Sequence, residues 1–156
     1  MRTLIAGFGN VLRGDDGFGV EVIYRLGLAG VAGEETELLN VGTGGIRLAQ
    51  ALLSSYDQLI VVDAMALDRE PGTLTVRVVD DVEAVTEIDM HAAVPARALA
   101  VAKALGGLPA RVLFVGCEPD HATLEELVIG LSPRVSNAAD EAVRKIQHLL
   151  AEPAHV

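Results

Sequence analysis

Short apolar runs and helical patterns of apolar residues alternate along the chain. Thr3 to Ala6 is apolar and gives way at once to glycine and asparagine, which predicts a strand ending in a turn. Residues 18–29 then place Val20, Val22, Ile23 and Leu26 at helical spacing. Glu37 to Val41 reads as a second strand, closed by Gly42-Thr43-Gly44-Gly45. Ile46 to Leu53 reads as a helix, with Leu48, Ala49, Leu52 and Leu53 on one side. Leu59-Ile60-Val61-Val62 is the strongest strand signal, because an unbroken branched run suits a strand buried on both faces.

Thr73 to Val79 is another β-rich run, preceded by the turn pair Pro71-Gly72. Nine residues, 64–72, separate it from the strand ending at Asp63. A parallel crossover needs about a dozen or more, so this run is expected to be an antiparallel edge strand. Residues 94–105 form an alanine-rich helical pattern, and Arg111 to Gly116 a last central strand. The final helix is predicted from Ser132-Pro133, a capping hydroxyl followed by proline in the first turn. Its buried stripe would be Val135, Ala139, Ala142, Val143, Ile146, Leu149 and Leu150. Alternating strands and helices predict an α/β fold, a three-layer α/β/α sandwich around a mostly parallel sheet. No repeat or linker divides the 156 residues, so 1–156 is read as one domain.

Composition narrows the function classes. The chain is 51% apolar and 22% charged, ample for a packed core. Its 12 Lys and Arg against 22 Asp and Glu give a formal charge of −10, which argues against nucleic acid and anionic membrane surfaces as partners. No apolar run approaches the roughly 20 residues of a membrane-spanning helix. Glycine arrives too early at the N-terminus for a secretory signal, and a single cysteine, Cys117, suits a reducing compartment. A cytoplasmic location is therefore expected.

In an open α/β sheet, ligands bind beyond the carboxyl ends of the strands. The segment Gly7-Phe8-Gly9-Asn10-Val11-Leu12-Arg13-Gly14-Asp15-Asp16-Gly17-Phe18-Gly19 follows the first strand, Gly42-Thr43-Gly44-Gly45 the second and Asp63-Ala64 the third. His91 precedes the alanine-rich helix. Asp16, Asp63 and His91 can thus converge on one rim, and two carboxylates with an imidazole can bind a divalent metal such as nickel, zinc or iron. The plainer alternatives are Asp16 as a helix cap, Asp63 as a turn residue and His91 as an ordinary loop residue.

The glycine-rich loop is not a dinucleotide site. It lacks the third glycine, and two adjacent acids stand where a pyrophosphate would lie. None of the four serines occupies a Gly-x-Ser-x-Gly elbow. Cys117, with His91 or His121, could form a thiol nucleophile, although a lone cysteine at a strand end is more often a small apolar core residue. His148 lies in the last helix, where a cation suits the dipole.

In order, Gly7-Phe8-Gly9-Asn10, Arg13-Gly14-Asp15-Asp16-Gly17-Phe18-Gly19, Gly42-Thr43-Gly44, Leu59-Ile60-Val61-Val62-Asp63-Ala64, Pro71-Gly72-Thr73, His91, Val115-Gly116-Cys117-Glu118-Pro119 and Gly130-Leu131-Ser132-Pro133 resemble the nickel–iron hydrogenase maturation endopeptidases. The resemblance covers nearly the whole chain. It implies a twisted five-stranded sheet between helices, and a hydrolase that removes a C-terminal extension from the precursor of the hydrogenase large subunit after nickel insertion. It also implies metal contact through Asp16, Asp63 and His91, with nickel carried by the substrate and the enzyme acting as a monomer. Two rival readings stand beside it: a non-enzymatic nickel-insertion checkpoint or chaperone for the large subunit, which would use the same trio, and a thiol-dependent amidohydrolase built on Cys117 and a histidine.

Overall fold

The register of five strands sets where every candidate residue lies. The computed structural model describes residues 1–79, 93–125 and 127–152. Strand β1 (Thr3–Phe8) lies between β2 (Thr36–Gly42) and β3 (Gln58–Ala64), and β3 pairs on its other side with the strand Arg111–Cys117. These four are parallel. The strand β4 (Leu74–Val78) closes one edge antiparallel to Arg111–Cys117, here β5, as the short connection requires. The sheet order is β2-β1-β3-β5-β4.

Side-chain alternation along the central strands makes two cores. Leu4, Ala6 and Phe8 of β1, Leu59 and Val61 of β3, and Val112 and Phe114 of β5 face one side. There they meet Leu48 of helix α2 (Ile46–Ala51), and Ala98, Leu99 and Ala102 of helix α3 (Ala93–Ala104). Ile5, Ile60, Val62, Leu113 and Val115 face the other side. They pack on Phe18, Val22 and Leu26 of helix α1 (Phe18–Leu28) and on Val135, Ala139 and Ile146 of helix α4 (Pro133–Ala151). Each of the larger fully buried aliphatic chains contributes about 1.5–3 kcal/mol by leaving water. The architecture is the expected α/β/α sandwich.

Details differ from the sequence pattern for physical reasons. Helix α2 ends at Ala51, so Leu53 swings out and is 63% exposed instead of joining Leu48 and Leu52. Strand β3 continues through Asp63, which pairs with Gly116, so that aspartate is the penultimate residue of a strand and not a turn residue. The buried stripe of α4 includes Ala138, while Leu149 and Leu150 are only partly buried. His91 lies outside the described residues.

Gly19 explains how tightly the first helix sits. A Cβ there would overlap the carbonyl oxygens of Val62 and Phe8, so only glycine lets α1 rest directly on the backbone of β1 and β3. The mouth of the sheet is thereby drawn close to the start of α1.

Candidate active site

The loop after β1 begins at Gly9, whose φ is +138°. A Cβ at Gly9 would overlap the Asp16 carbonyl, so the loop folds back on itself only because that position is glycine. Asn10 then makes a local turn, its Oδ1 accepting from the backbone N–H of Leu12 at 3.0 Å. A short 3-10 turn, Gly14–Gly17, leads into α1. The N–H of Asn10 donates to Asp16 Oδ2 at 3.0 Å, which fixes this carboxylate across the loop. Asp16 is therefore not a helix cap: Gly17 occupies the cap position of α1, and no side chain bonds there.

Asp63 is 7% exposed at the end of β3. Asp16 and Asp63 line the same small pocket, together with Phe8, Gly9, Gly42, Thr43 and Pro95. Its volume is about 130 Å³. That is small beside the roughly 300–1,000 Å³ of drug-sized ligand sites, and is suited to an ion with its ligand atoms or to a single peptide unit. The structure thus brings together two of the three expected residues, Asp16 from the 3-10 turn after β1 and Asp63 from the end of β3. Pro95 reaches this pocket from the first turn of α3. Among the described residues no cluster of three His, Cys, Asp or Glu side chains is arranged to hold a metal ion; His91, the third expected residue, lies outside them. Two carboxylates from separate strand ends can bind a hard or borderline cation, or take a proton from water.

Asp15 has a different task from its neighbour. Fully buried, it accepts the Ser132 N–H at 2.7 Å and the Ser132 hydroxyl at 2.8 Å. It also accepts the Asp120 N–H at 2.9 Å. The Ser132 hydroxyl, expected to cap α4, is turned onto this carboxylate and makes no cap bond. A charged acceptor offers the stronger hydrogen bond, which accounts for the diversion. Glu118, 2% exposed, plays a similar part beside β3: its carboxylate accepts the N–H groups of Leu67 at 2.6 Å and Arg69 at 3.1 Å. Neither role is visible in sequence spacing.

Cys117 is fully buried as the last residue of β5. Burial, reinforced by the nearby charges of Asp15 and Glu118, pushes its thiol up to about 12. A thiolate nucleophile needs the opposite shift and an open face, so the thiol-dependent reading fails on this residue. His121 is exposed, with Nε2 3.9 Å from Glu118 Oε1. His148 pairs across the surface of α4 with Glu152 at 3.3 Å, an exposed contact of little energetic weight.

No helix among the described residues is long and apolar enough to cross a membrane. The hydrogenase maturation protease family model, HycI, matches residues 20–149. Asp63 and His91 fall inside that span and Asp16 just before it. The hydrogenase expression/formation protein HupD of Rhodobacter capsulatus is 34% identical over 153 residues, spanning 94% of this chain and 71% of the relative. The solved hydrogenase maturating endopeptidase HybD of Escherichia coli superposes with a TM-score of 0.79 at 29% identity, covering 96% of this chain and 92% of that one. The hydrogenase maturation protease HybD of Thermococcus kodakarensis gives a TM-score of 0.80 at 26% identity, over 97% and 100% of the two chains. The chain belongs to the hydrogenase maturation protease family. Membership places it among the hydrolases, on the fold described above.

Proposed function

We propose that this chain is an endopeptidase that removes the C-terminal extension of the nickel–iron hydrogenase large-subunit precursor once nickel has been inserted. The observation that carries the proposal is the convergence of Asp16, from the loop after β1, and Asp63, from the end of β3, on one small pocket in a member of this family. Nickel belongs to the substrate, held in part by the precursor's cysteines. Asp16, Asp63 and His91 take positions left open on it, so the cut follows only when the metal is in place. A bound divalent cation supplies Lewis-acid polarisation to an adjacent carbonyl or water. One of the two carboxylates accepts the proton of the attacking water, the carbon–nitrogen bond breaks, and the proton passes to the departing amine.

The enzyme works as a single domain spanning 1–156, as a monomer on a much larger partner, in the cytoplasm where precursors mature. The test is the intact mass of a large-subunit precursor incubated with this protein, with and without nickel loaded. Loss of one discrete C-terminal peptide from the nickel-loaded form alone is the expected result. A stable complex with no change of mass would overturn cleavage in favour of the checkpoint role. Equal cutting of the nickel-free form would remove the metal gate.

A further inference from the structure

Beside the candidate site lies a surface the cleavage chemistry does not use. Val11 and Leu12, in the loop that also carries Gly9 and Asp16, are 48% and 50% exposed. Next to them Leu127 and Ile129 are 86% and 83% exposed. Single exposed apolar residues are ordinary, but four in adjoining segments, with Val11 and Ile129 lining a groove, mark a contact surface.

The backbone here makes an isolated β-bridge. Val128 bridges Arg13 in the parallel sense: its N–H donates to the Leu12 carbonyl at 3.1 Å, and its own carbonyl accepts from Gly14 at 2.7 Å. Because peptide groups alternate along an extended chain, those of Leu127 and Ile129 point to the opposite, outer edge. An edge of this kind can take up a further strand.

The edge borders a groove of about 310 Å³ lined by Val11, Gly14, Gly17, Ile129 and Leu131. Glu21, Arg25 and Ser136 stand at its polar end. Arg25 is already satisfied by Glu21, Asp140 and Ser136, at distances from 2.7 to 3.1 Å, so the groove calls for no charged side chain. Asp16 lines the pocket and Gly17, the next residue, lines the groove, so the two recesses meet at one loop.

We propose that the 127–129 edge and this groove form an exosite, where an extended, uncharged apolar segment of the polypeptide substrate adds as a strand while its scissile end reaches Asp16. The occupant is the substrate because the surface is continuous with the pocket through residues 9–17. This rests on the endopeptidase reading above.

The test compares the parent protein, a Leu127→Asp/Ile129→Asp variant and an Ile129→Pro variant, which loses the outward N–H. Cleavage of the nickel-loaded precursor is followed as kcat and KM, and binding is followed with Asp16→Asn in each background. Ten-fold or greater weakening of KM and of binding, with kcat within two-fold, is the expected result. Amide-exchange protection at 127–129 in the parent on adding precursor gives the same answer without a substitution. Unchanged KM and binding, with the parent still cleaving, would overturn the exosite and leave the endopeptidase reading standing. Binding that the variants abolish, with no cleavage by the parent, would uphold the exosite and sink that reading. A dimer of the parent that dissolves in the Asp variant would assign the edge to a second copy and overturn the exosite.

Discussion

Replacing Asp15 by alanine removes a fully buried carboxylate that accepts three hydrogen bonds, two from Ser132 and one from Asp120. Bonds to a charged acceptor contribute about 1.5–3 kcal/mol each. The donors are only partly buried, so water can recover some of that, and two of the three sit on one residue and do not add independently. A total of about 3–4 kcal/mol follows, a substantial share of the roughly 5–15 kcal/mol that holds a domain together. At roughly 2–4 °C per kcal/mol for a chain of this length, the melting temperature falls by about 6–16 °C. Asp15→Asn, which keeps the volume and one acceptor oxygen, falls between that variant and the parent. The assay is thermal unfolding by circular dichroism with the urea midpoint beside it, run on the parent, Asp15→Ala, Asp15→Asn and Asp16→Asn. Asp16→Asn keeps an amide oxygen that can accept the one Asn10 N–H and should melt within a few degrees of the parent. If Asp15→Ala melts with the parent, the anchoring role is refuted. If Asp16→Asn melts as low as Asp15→Ala, the division of labour between the two neighbours is refuted.

Asp16→Asn and Asp63→Asn should each lower cleavage of the nickel-loaded precursor by at least about 100-fold in a folded protein, the usual scale for losing a proton-handling group; full cleavage by either would remove that residue from the site. Cys117 should resist iodoacetamide at pH 8 until the protein is unfolded, and Cys117→Ala should keep cleaving. Because burial raises this thiol in the folded state only, stability is unaffected below pH 9 and falls as pH rises from 9 towards about 12, where the unfolded chain alone sheds the proton. The alkaline decline in a pH series of urea midpoints should shrink in Cys117→Ala. Gly9→Ala meets both a left-handed φ and the Asp16 carbonyl, so it should destabilise by several kcal/mol and lower kcat by displacing Asp16.

The order of elements was legible because each central strand is buried on both faces and therefore reads as a continuous apolar run, as in Leu59 to Val62. The nine-residue connection foretold the antiparallel edge, since no crossover fits in it. Asp16 and Asp63 could be placed at one rim because topology alone puts the ends of parallel strands together. Long-range polar contacts were not legible. Asp15 and Asp16 are chemically identical in the sequence, and what separates them are donors 105 and 117 residues away at Asp120 and Ser132. Ser132 displayed a cap signature, but the sequence carries no sign of a competing buried acceptor. Leu53 continued a helical spacing that the backbone abandons after Ala51. Glu118 follows a strand like many loop acids, and only its grip on the Leu67 and Arg69 amides explains its burial.

One side chain, Asp15, grips the main chain at Asp120 and again at Ser132, the two ends of a stretch whose middle faces outward. The stretch is fastened at its termini to the interior, and between them to the first loop through Thr123, Leu124 and Val128, while Leu127 and Ile129 stay outward. Neither Leu127 nor Ile129 supplies a side chain to that fastening, so both can change while the Asp15 bonds persist. The surface there is free to vary without cost to the buried anchor beneath it.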